Sequence, residues 1–441
     1  MFTLPNLFGL KHLRLHLKST LARNTGWMLA GQGLRLLIQA AYFTVIARSL
    51  GSQNYGAFVG VVGLVGILMP FATMGSGYLL IKNVARDHSQ FRDNWGRALF
   101  STCLFSSIFF VVVTLASHYL LPGSIPIGLV MMVAASDLFG TSIITICGHA
   151  FIAFERLKWT ASINVVFSAL RLSAALTLVV LHSAPSASQW GMFHLLSTLV
   201  ATCIALTLVF VRIGTPRFKF VRSMAEMREG LYFSIGQSAQ TIYNDIDKSM
   251  LARMGTLQAT GIYGAAYRLI DVSFAPVTSL LAAANPNFFR TGAAGMPAAL
   301  RYAKPLIVRA LGYASLVSLA VLLAAGLVPV VLGGEYRMSE AALRWLAVLP
   351  ILKVIHFFFS DALAGAGHQA LRTAIHVTAA VFNILINLWI IPAYSWRGAA
   401  WSSIATDGLL ACAMASAAYI LSRRSQLSRA RADVVELRAE A

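Results

Sequence analysis

Stretches of about twenty consecutive apolar residues recur along the whole chain, and that repetition limits its fold more than any motif does. A run of this length, coiled as an α-helix, crosses a hydrocarbon core roughly 30 Å thick with its backbone polar groups bonded internally. Reading the runs as spans places helices at 24–47, 56–81, 97–121, 126–153, 159–181 and 189–211, then at 230–252, 258–288, 305–331, 340–364, 369–391 and 397–421. The 441 residues are 58% hydrophobic and 12% charged, with a mean hydropathy of +0.71. That is too little polar surface for a water-soluble body of this size. The sequence predicts an all-α integral membrane protein of about 12 transmembrane helices, in two pseudo-symmetric six-helix lobes around a central cavity.

The formal net charge of +19 invites a nucleic-acid partner, which the placement of the charges argues against. Alternate loops and tails on one side carry 25 Lys and Arg, among them Lys82, Arg92, Arg156, Arg217, Arg290 and Arg372; the opposite side carries 5, and 5 more lie inside spans. The positive-inside rule then makes the basic side cytoplasmic, both termini included. Lys11 to Lys18 alternate with leucines, which predicts an interfacial N-terminal segment rather than a cleaved signal. Cys103, Cys147, Cys203 and Cys412 all fall within spans and share no metal-ligand spacing, so they read as packing residues. No phosphate-binding Gly-Lys-Ser/Thr loop and no sizeable soluble domain is present. No catalytic residue, metal or cofactor is expected, and the chain does not read as an enzyme.

The span map superposes on itself at an offset of about 208 residues, and Tyr55-Gly56-Ala57 returns as Tyr263-Gly264-Ala265, each time opening the second helix of its half. Two halves that begin on the same side are parallel repeats. The expected organisation is an N-terminal segment (1–23), a first lobe (24–213), a cytoplasmic linker (214–229), a second lobe (230–421) and a cytoplasmic tail (422–441). The first helix of each half also carries a polar stripe: Gln32, Arg35, Gln39 and Tyr42, then Gln237, Gln240, Asn244 and Asp247. Facing lipid, such donors would each cost several kcal/mol or so. Both stripes are expected to face a shared cavity, with hydrogen bonding inside each half as the alternative.

Ala47-Arg48-Ser49-Leu50-Gly51 with Tyr55-Gly56 beyond it resembles the first-loop signature of polysaccharide exporters. Asp247-Lys248 followed by Gly261 to Leu269 resembles the opening of their second half, and Asn383 to Pro392 with Gly398-Ala399-Ala400 their last helix junction. The chain is identified by these stretches as similar to the Wzx-type oligosaccharide flippases, of the superfamily that includes multidrug (MATE) exporters. That resemblance implies a bacterial cytoplasmic-membrane flippase for oligosaccharide linked to a polyprenyl pyrophosphate, feeding O-antigen, capsule or exopolysaccharide assembly. It implies lipid-linked oligosaccharide and membrane lipid as partners, and a polysaccharide polymerase with other export machinery nearby. An ion-coupled multidrug exporter is the alternative within transport.

Five cations (Arg35, Arg171, Lys248, Arg268, Lys353) and six aspartates (Asp137, Asp245, Asp247, Asp271, Asp361, Asp407) lie inside spans. Lipid-exposed, eleven such charges would cost roughly 30 kcal/mol, more than a fold's usual net stability of about 5–15 kcal/mol. They must be paired or hydrated. Asp245 with Lys248 and Arg268 with Asp271 are spaced i,i+3 and can pair on one helix. Arg35, Arg171 and Lys353 have no such local partner and lead the candidates for a pyrophosphate site, with Arg268, Lys248, Gln32 and Gln39 beside them; pairing with Asp137, Asp271 or Asp407 across helices is the alternative. Asp247 and Asp137 are the candidates for ion coupling, the latter continuing through Thr141, Thr145 and His149 as a polar file. His149, His194 and His376 read as buried hydrogen-bonding residues. Pro70, Pro276 and Pro350 mark candidate bends, and Gly56, Gly60, Gly63 and Gly66 a close-packing face.

Overall fold

The computed structural model describes the backbone of residues 7–217 and 224–440, and the side chains of residues 31–85, 87–217, 224 and 226–427. The expected interfacial segment at Lys11 to Lys18 lies outside the described side chains. Among the described residues every regular element is helical. In chain order these are α1 (Leu7–Thr73), α2 (Ser76–Arg86), α3 (Phe91–Leu120), α4 (Ile127–Ala134), a π-helical turn (Ala135–Thr141), α5 (Ser142–Ala153), α6 (Leu157–Leu181) and α7 (Ala187–Arg212). Then follow α8 (Met224–Met254), α9 (Leu257–Gly292), α10 (Met296–Ala324), α11 (Val328–Leu332), α12 (Arg337–Leu346), α13 (Leu349–Gly365), α14 (Gln369–Tyr394) and α15 (Trp396–Glu440).

Among the described residues, nine helical stretches are long and apolar enough to cross a membrane, and the α12–α13 pair, bent by 47° ahead of Pro350, makes a tenth. The first of the nine, Gly31–Ala85, has 55 residues and folds back on itself. Gly51 leaves the helical region (φ 70°, ψ 171°), and the Phe43 and Tyr55 rings come within 5.9 Å, where a straight helix would hold them roughly 18 Å apart. That stretch therefore supplies two crossings. α8, with 31 residues, supplies the twelfth; its many polar residues, Gln237, Gln240, Asn244 and the charges beside them, make it less apolar than its length alone suggests. This is the membrane protein of about twelve spans that the sequence predicts. Two interruptions were not legible: the π-helical turn inside the fourth span, and the break at Met74 and Gly75 that separates α1 from α2. Pro276, by contrast, sits inside a continuous α9.

The first half of the chain and the second meet along the second crossing (52–73), α8 and α9. A Cβ on Gly56 would stand 1.7 Å from the Leu257 carbonyl oxygen, and one on Gly261 would stand 1.8 Å from that of Ser52. The helices approach at backbone distance, which small residues alone permit. Serines of α8 staple the contact: Ser234, Ser238 and Ser249 donate to the carbonyls of Pro70, Ile67 and Gly60, each at 2.8 Å. At the end near Gly51, the Glu335 carboxylate accepts from the Ser52 amide (2.9 Å) and hydroxyl (3.1 Å), and Tyr336 donates to the Ala47 carbonyl (2.8 Å). At the basic end, Lys82 is held by both oxygens of Glu229 at 2.7 and 2.8 Å, and Arg97 lies 3.6 Å from Glu226.

Large apolar side chains such as Leu115, Val180 and Trp389 point outward and are exposed, as expected where the surrounding solvent is lipid. The packing role assigned to the cysteines holds for Cys147 alone. Cys103, Cys203 and Cys412 are exposed on outer helix faces, where a small apolar thiol is as much at home as in a core.

Candidate functional site: a charged cavity between the lobes

The crossing of α1 before Gly51, the crossing after it, the π-helical turn, α6 and α7 face α8 and α9 across a cavity of about 200 Å³. Its charged lining comprises Arg171, Lys248, Arg268, Asp137, Asp245 and Asp271; its aromatic lining includes Tyr42, Phe43, Tyr55, Phe58 and Phe167.

On the first-half side, the π-helical turn carries Asp137 inward, a use of local unwinding common at functional sites. Asp137 Oδ1 lies 3.3 Å from Arg171 Nη2 and 3.2 Å from His194 Nε2, and accepts from Ser136 (3.2 Å) and Thr141 (3.4 Å). Arg171 Nη2 also stands 3.0 Å from His194 Nε2. That ring nitrogen can donate to Asp137 or accept from Arg171, but not both, so the proton on His194 decides how tightly the other two are tied. The Arg171 guanidinium lies over the Phe167 ring, 4.4 Å from its centre, which fixes its plane.

On the second-half side, Lys248 pairs with Asp245, donates to the Asn244 carbonyl (2.9 Å) and lies 4.1 Å from the Tyr267 ring centre. Tyr267 stands between two ammonium groups, because Lys353 approaches its ring at 4.8 Å and donates to its hydroxyl at 3.0 Å. Lys353 also lies 3.8 Å from Asp271. Thus each carboxylate of the lining faces a cation: Asp137 has Arg171, Asp245 has Lys248, and Asp271 has Lys353. Arg268 has no carboxylate at pairing distance among the described residues, and neither has Arg35, which lies within electrostatic reach of Arg268 and Arg171.

Several expectations change. Arg171 and Lys353 are not free of partners: Asp137 and Asp271 meet them from neighbouring helices, contacts that spacing along one helix cannot show. Lys353 stands behind Tyr267 and is absent from the lining. Arg268 and Asp271 do not form the expected i,i+3 pair, since Asp271 turns to Lys353. The stripe on α8 does not face the cavity. Asp247 is fully buried inside the second half, accepting from the Tyr263 hydroxyl, from Ser403 (3.0 Å) and from the Lys248 amide (2.8 Å); Gln237 points outward. α8 is covered on two sides, and its cavity face is the one bearing Asp245 and Lys248. Of the first stripe, Gln39 and Tyr42 line the cavity, and Gln32 and Arg35 do not. The polar file from Asp137 ends at Thr141, because the π-helical turn shifts the register and leaves Thr145 exposed. His194 was undervalued; its signal was the Trp190, His194, Thr198 spacing of one helix face.

The second half holds another buried polar cluster, away from the cavity. His356 Nδ1 lies 3.3 Å from Asp407, and Arg372 donates to Ser360 (2.7 Å), which meets His376 at 3.3 Å. Asn383 and Asn387 join Thr406 and Ser402 between α14 and α15.

Two helical lobes joined along a glycine-lined contact, with a charged cavity between them, make a fold shared with solved MATE-family transporters. Similar architectures among solved structures include a multidrug-resistance MATE-family transporter of the MOP superfamily. Its inward-facing conformation aligns with TM-score 0.72 and 16% identity over 92% of this chain and 99% of that one. The outward-facing conformation of such a transporter gives 0.64 at 16% identity, over 92% and 96%. A MOP-superfamily transporter from Pyrococcus furiosus, described as having a binding pocket of reverse polarity, gives 0.62 at 16%, over 90% and 95%. A search of curated proteins found no match. The family model of polysaccharide biosynthesis proteins matches residues 21–291, more than half of the sequence, and the chain belongs to that family.

Proposed function

We propose that this protein exports oligosaccharide linked to a polyprenyl diphosphate across the bacterial cytoplasmic membrane, by alternating access of the two lobes. The observation that carries the reading is which charges in the cavity are left over. Each lining carboxylate is engaged by a cation, while Arg268 is left without one; Arg35, outside the lining but within electrostatic reach of Arg268 and Arg171, is likewise unpaired. A multidrug exporter that takes organic cations needs the opposite balance. Guanidinium groups suit a diphosphate, because their fixed fork replaces part of its hydration with charge-assisted hydrogen bonds. Arg171, already stacked on Phe167, stands close enough to join them once His194 takes over Asp137. The lipid tail stays in the bilayer while the head group occupies the cavity. The basic face, with Lys82, Arg92, Arg97 and Arg156, is then the cytoplasmic one. The family match agrees with this reading.

Proteoliposomes loaded with polyprenyl-diphosphate-linked oligosaccharide test it. The wild type should expose the glycan to a membrane-impermeant oxidant in the far leaflet. Arg268→Ala should slow that exposure by roughly tenfold to a hundredfold, the usual worth of a charge-assisted hydrogen bond. Because Arg268 holds no ion pair, the variant should remain as abundant as wild type. Equal rates in empty, wild-type and variant vesicles overturn the proposal.

A further inference from the structure

The cavity has an aromatic wall that a diphosphate does not use. Tyr42 and Tyr55 sit on the two crossings that the break at Gly51 folds together, and both line the cavity. Neither hydroxyl has a hydrogen-bond partner among the described residues, although Tyr55 is only 6% exposed. Buried tyrosines normally satisfy their hydroxyls, and most others here do, Tyr243, which does not line the cavity, being an exception. Tyr263 bonds to Asp247 and Ser403, Tyr267 to Asn244, and Tyr336 to the Ala47 carbonyl. Gln39, one turn before Phe43, lines the same wall with its amide likewise unpartnered.

The surroundings narrow the ligand. The Phe43 ring is tilted against Tyr55 at 5.9 Å, and Phe58 packs edge-on against Trp190 and His194. Together these rings form an apolar surface at the end of the cavity nearest Gly51. The phenol of Tyr42 lies within electrostatic reach of Arg171, Arg268 and the already paired Asp137, and that of Tyr55 within reach of Arg268 and the already paired Asp271. A ligand that fills this space presents an apolar face to aromatic rings, hydroxyls or amides to two phenols and a carboxamide, and an anionic group to the guanidiniums. A pyranose carrying a diphosphate has all three. A bare diphosphate makes no use of the phenols, and a flat aromatic cation places its charge against Arg268.

We propose that Tyr42 and Tyr55, with Gln39 and the rings of Phe43 and Phe58, form a saccharide subsite for the sugar attached directly to the diphosphate. This rests on the exporter reading above and adds an orientation: the sugar points toward the Gly51 end and the diphosphate lies at Arg171 and Arg268. It also gives the protein a means to tell loaded carrier from spent carrier, because polyprenyl diphosphate without a sugar leaves the two phenols unsatisfied.

The test is an affinity comparison on purified protein in lipid nanodiscs. The probes are polyprenyl diphosphate and the same lipid bearing one N-acetylglucosamine. Wild type should bind the glycosylated probe about tenfold more tightly, as two extra hydrogen bonds allow. The double variant Tyr42→Phe/Tyr55→Phe should bind both probes equally, at the wild-type affinity for the bare one. Its melting temperature should stay within about 2 °C of wild type, since no protein hydrogen bond is removed. Equal binding of both probes by wild type overturns the subsite and leaves the exporter reading standing, as does a preference that survives the double substitution. A large fall in melting temperature makes the phenols structural and likewise overturns it. Binding of neither probe by wild type overturns both.

Discussion

The two halves repeat each other in helix order yet treat their polar residues in opposite ways. In the first half, the Asp137, Arg171 and His194 group and the free phenols of Tyr42 and Tyr55 open onto the cavity. In the second, the corresponding helices turn most of their polarity inward. Asp247 is enclosed with Tyr263 and Ser403, Asp407 with His356, and Asn383 with Thr406; Lys248, Asp245 and Arg268 alone of their helices' charges join Asp271 at the cavity. A repeat therefore fixes where helices run but not which face of each is wet. The first half presents groups able to exchange partners with a ligand; the second adds Arg268 to them and otherwise stores buried charge that can respond only if the lobe itself changes.

The sharpest way to break this comparison is Arg171→Ala. It leaves the Asp137 carboxylate buried beside His194 without its cation, so stability should fall by about 3 kcal/mol, the lower range for orphaning one member of a buried pair. Export should fall with it. The double variant Arg171→Ala/Asp137→Ala removes both charges and should recover thermal stability in detergent while export stays lost. Recovery of export as well would mean that the pair only holds helices together.

Asp247→Asn probes the enclosed side. One acceptor oxygen is lost where the Tyr263 hydroxyl and Ser403 converge, so a cost of about 1–2 kcal/mol is expected. Affinity for a polyprenyl-diphosphate glycan should be unchanged, because Asp247 does not reach the cavity. If the second half carries the ion coupling, stimulation of transport by an imposed proton or sodium gradient should disappear in the variant. Undiminished gradient-driven transport would assign Asp247 a purely structural part.

Lys353→Met should show the smallest effect on ligand binding. The ammonium sits behind Tyr267 and steadies Asp271 and Asn244, so affinity for the glycan lipid should change by no more than about twofold, the effect of an indirect contact worth a few tenths of a kcal/mol. A tenfold loss, measured by the same nanodisc titration, would place Lys353 among the groups that meet the ligand.

Much of the architecture could be read from residue order because the bilayer enforces it. Apolar length sets the crossings, the basic loops set a proposed orientation, and the recurrence of Tyr-Gly-Ala at positions 55 and 263 marks the internal repeat. Gly56 could be marked as a packing glycine, since a larger residue cannot share a helix face at backbone distance. The cavity was less legible. Cations in the spans were recognisable from their cost in lipid: Arg35 stays unpaired as expected, though outside the cavity lining, whereas Arg268, expected to pair with Asp271, is left free in the cavity. Yet Arg171 and Lys353 looked alike in sequence and parted company in space. Their partners come from other helices, Asp137 from the π-helical turn and Asp271 from α9, and no spacing rule reaches across a bundle. The rotation of α8 decided the same question for Asp247. The chain's own order determined which residues could not face lipid. Only the packing of one helix against the next, through contacts far apart in sequence, decided which of them face each other and which face the cavity.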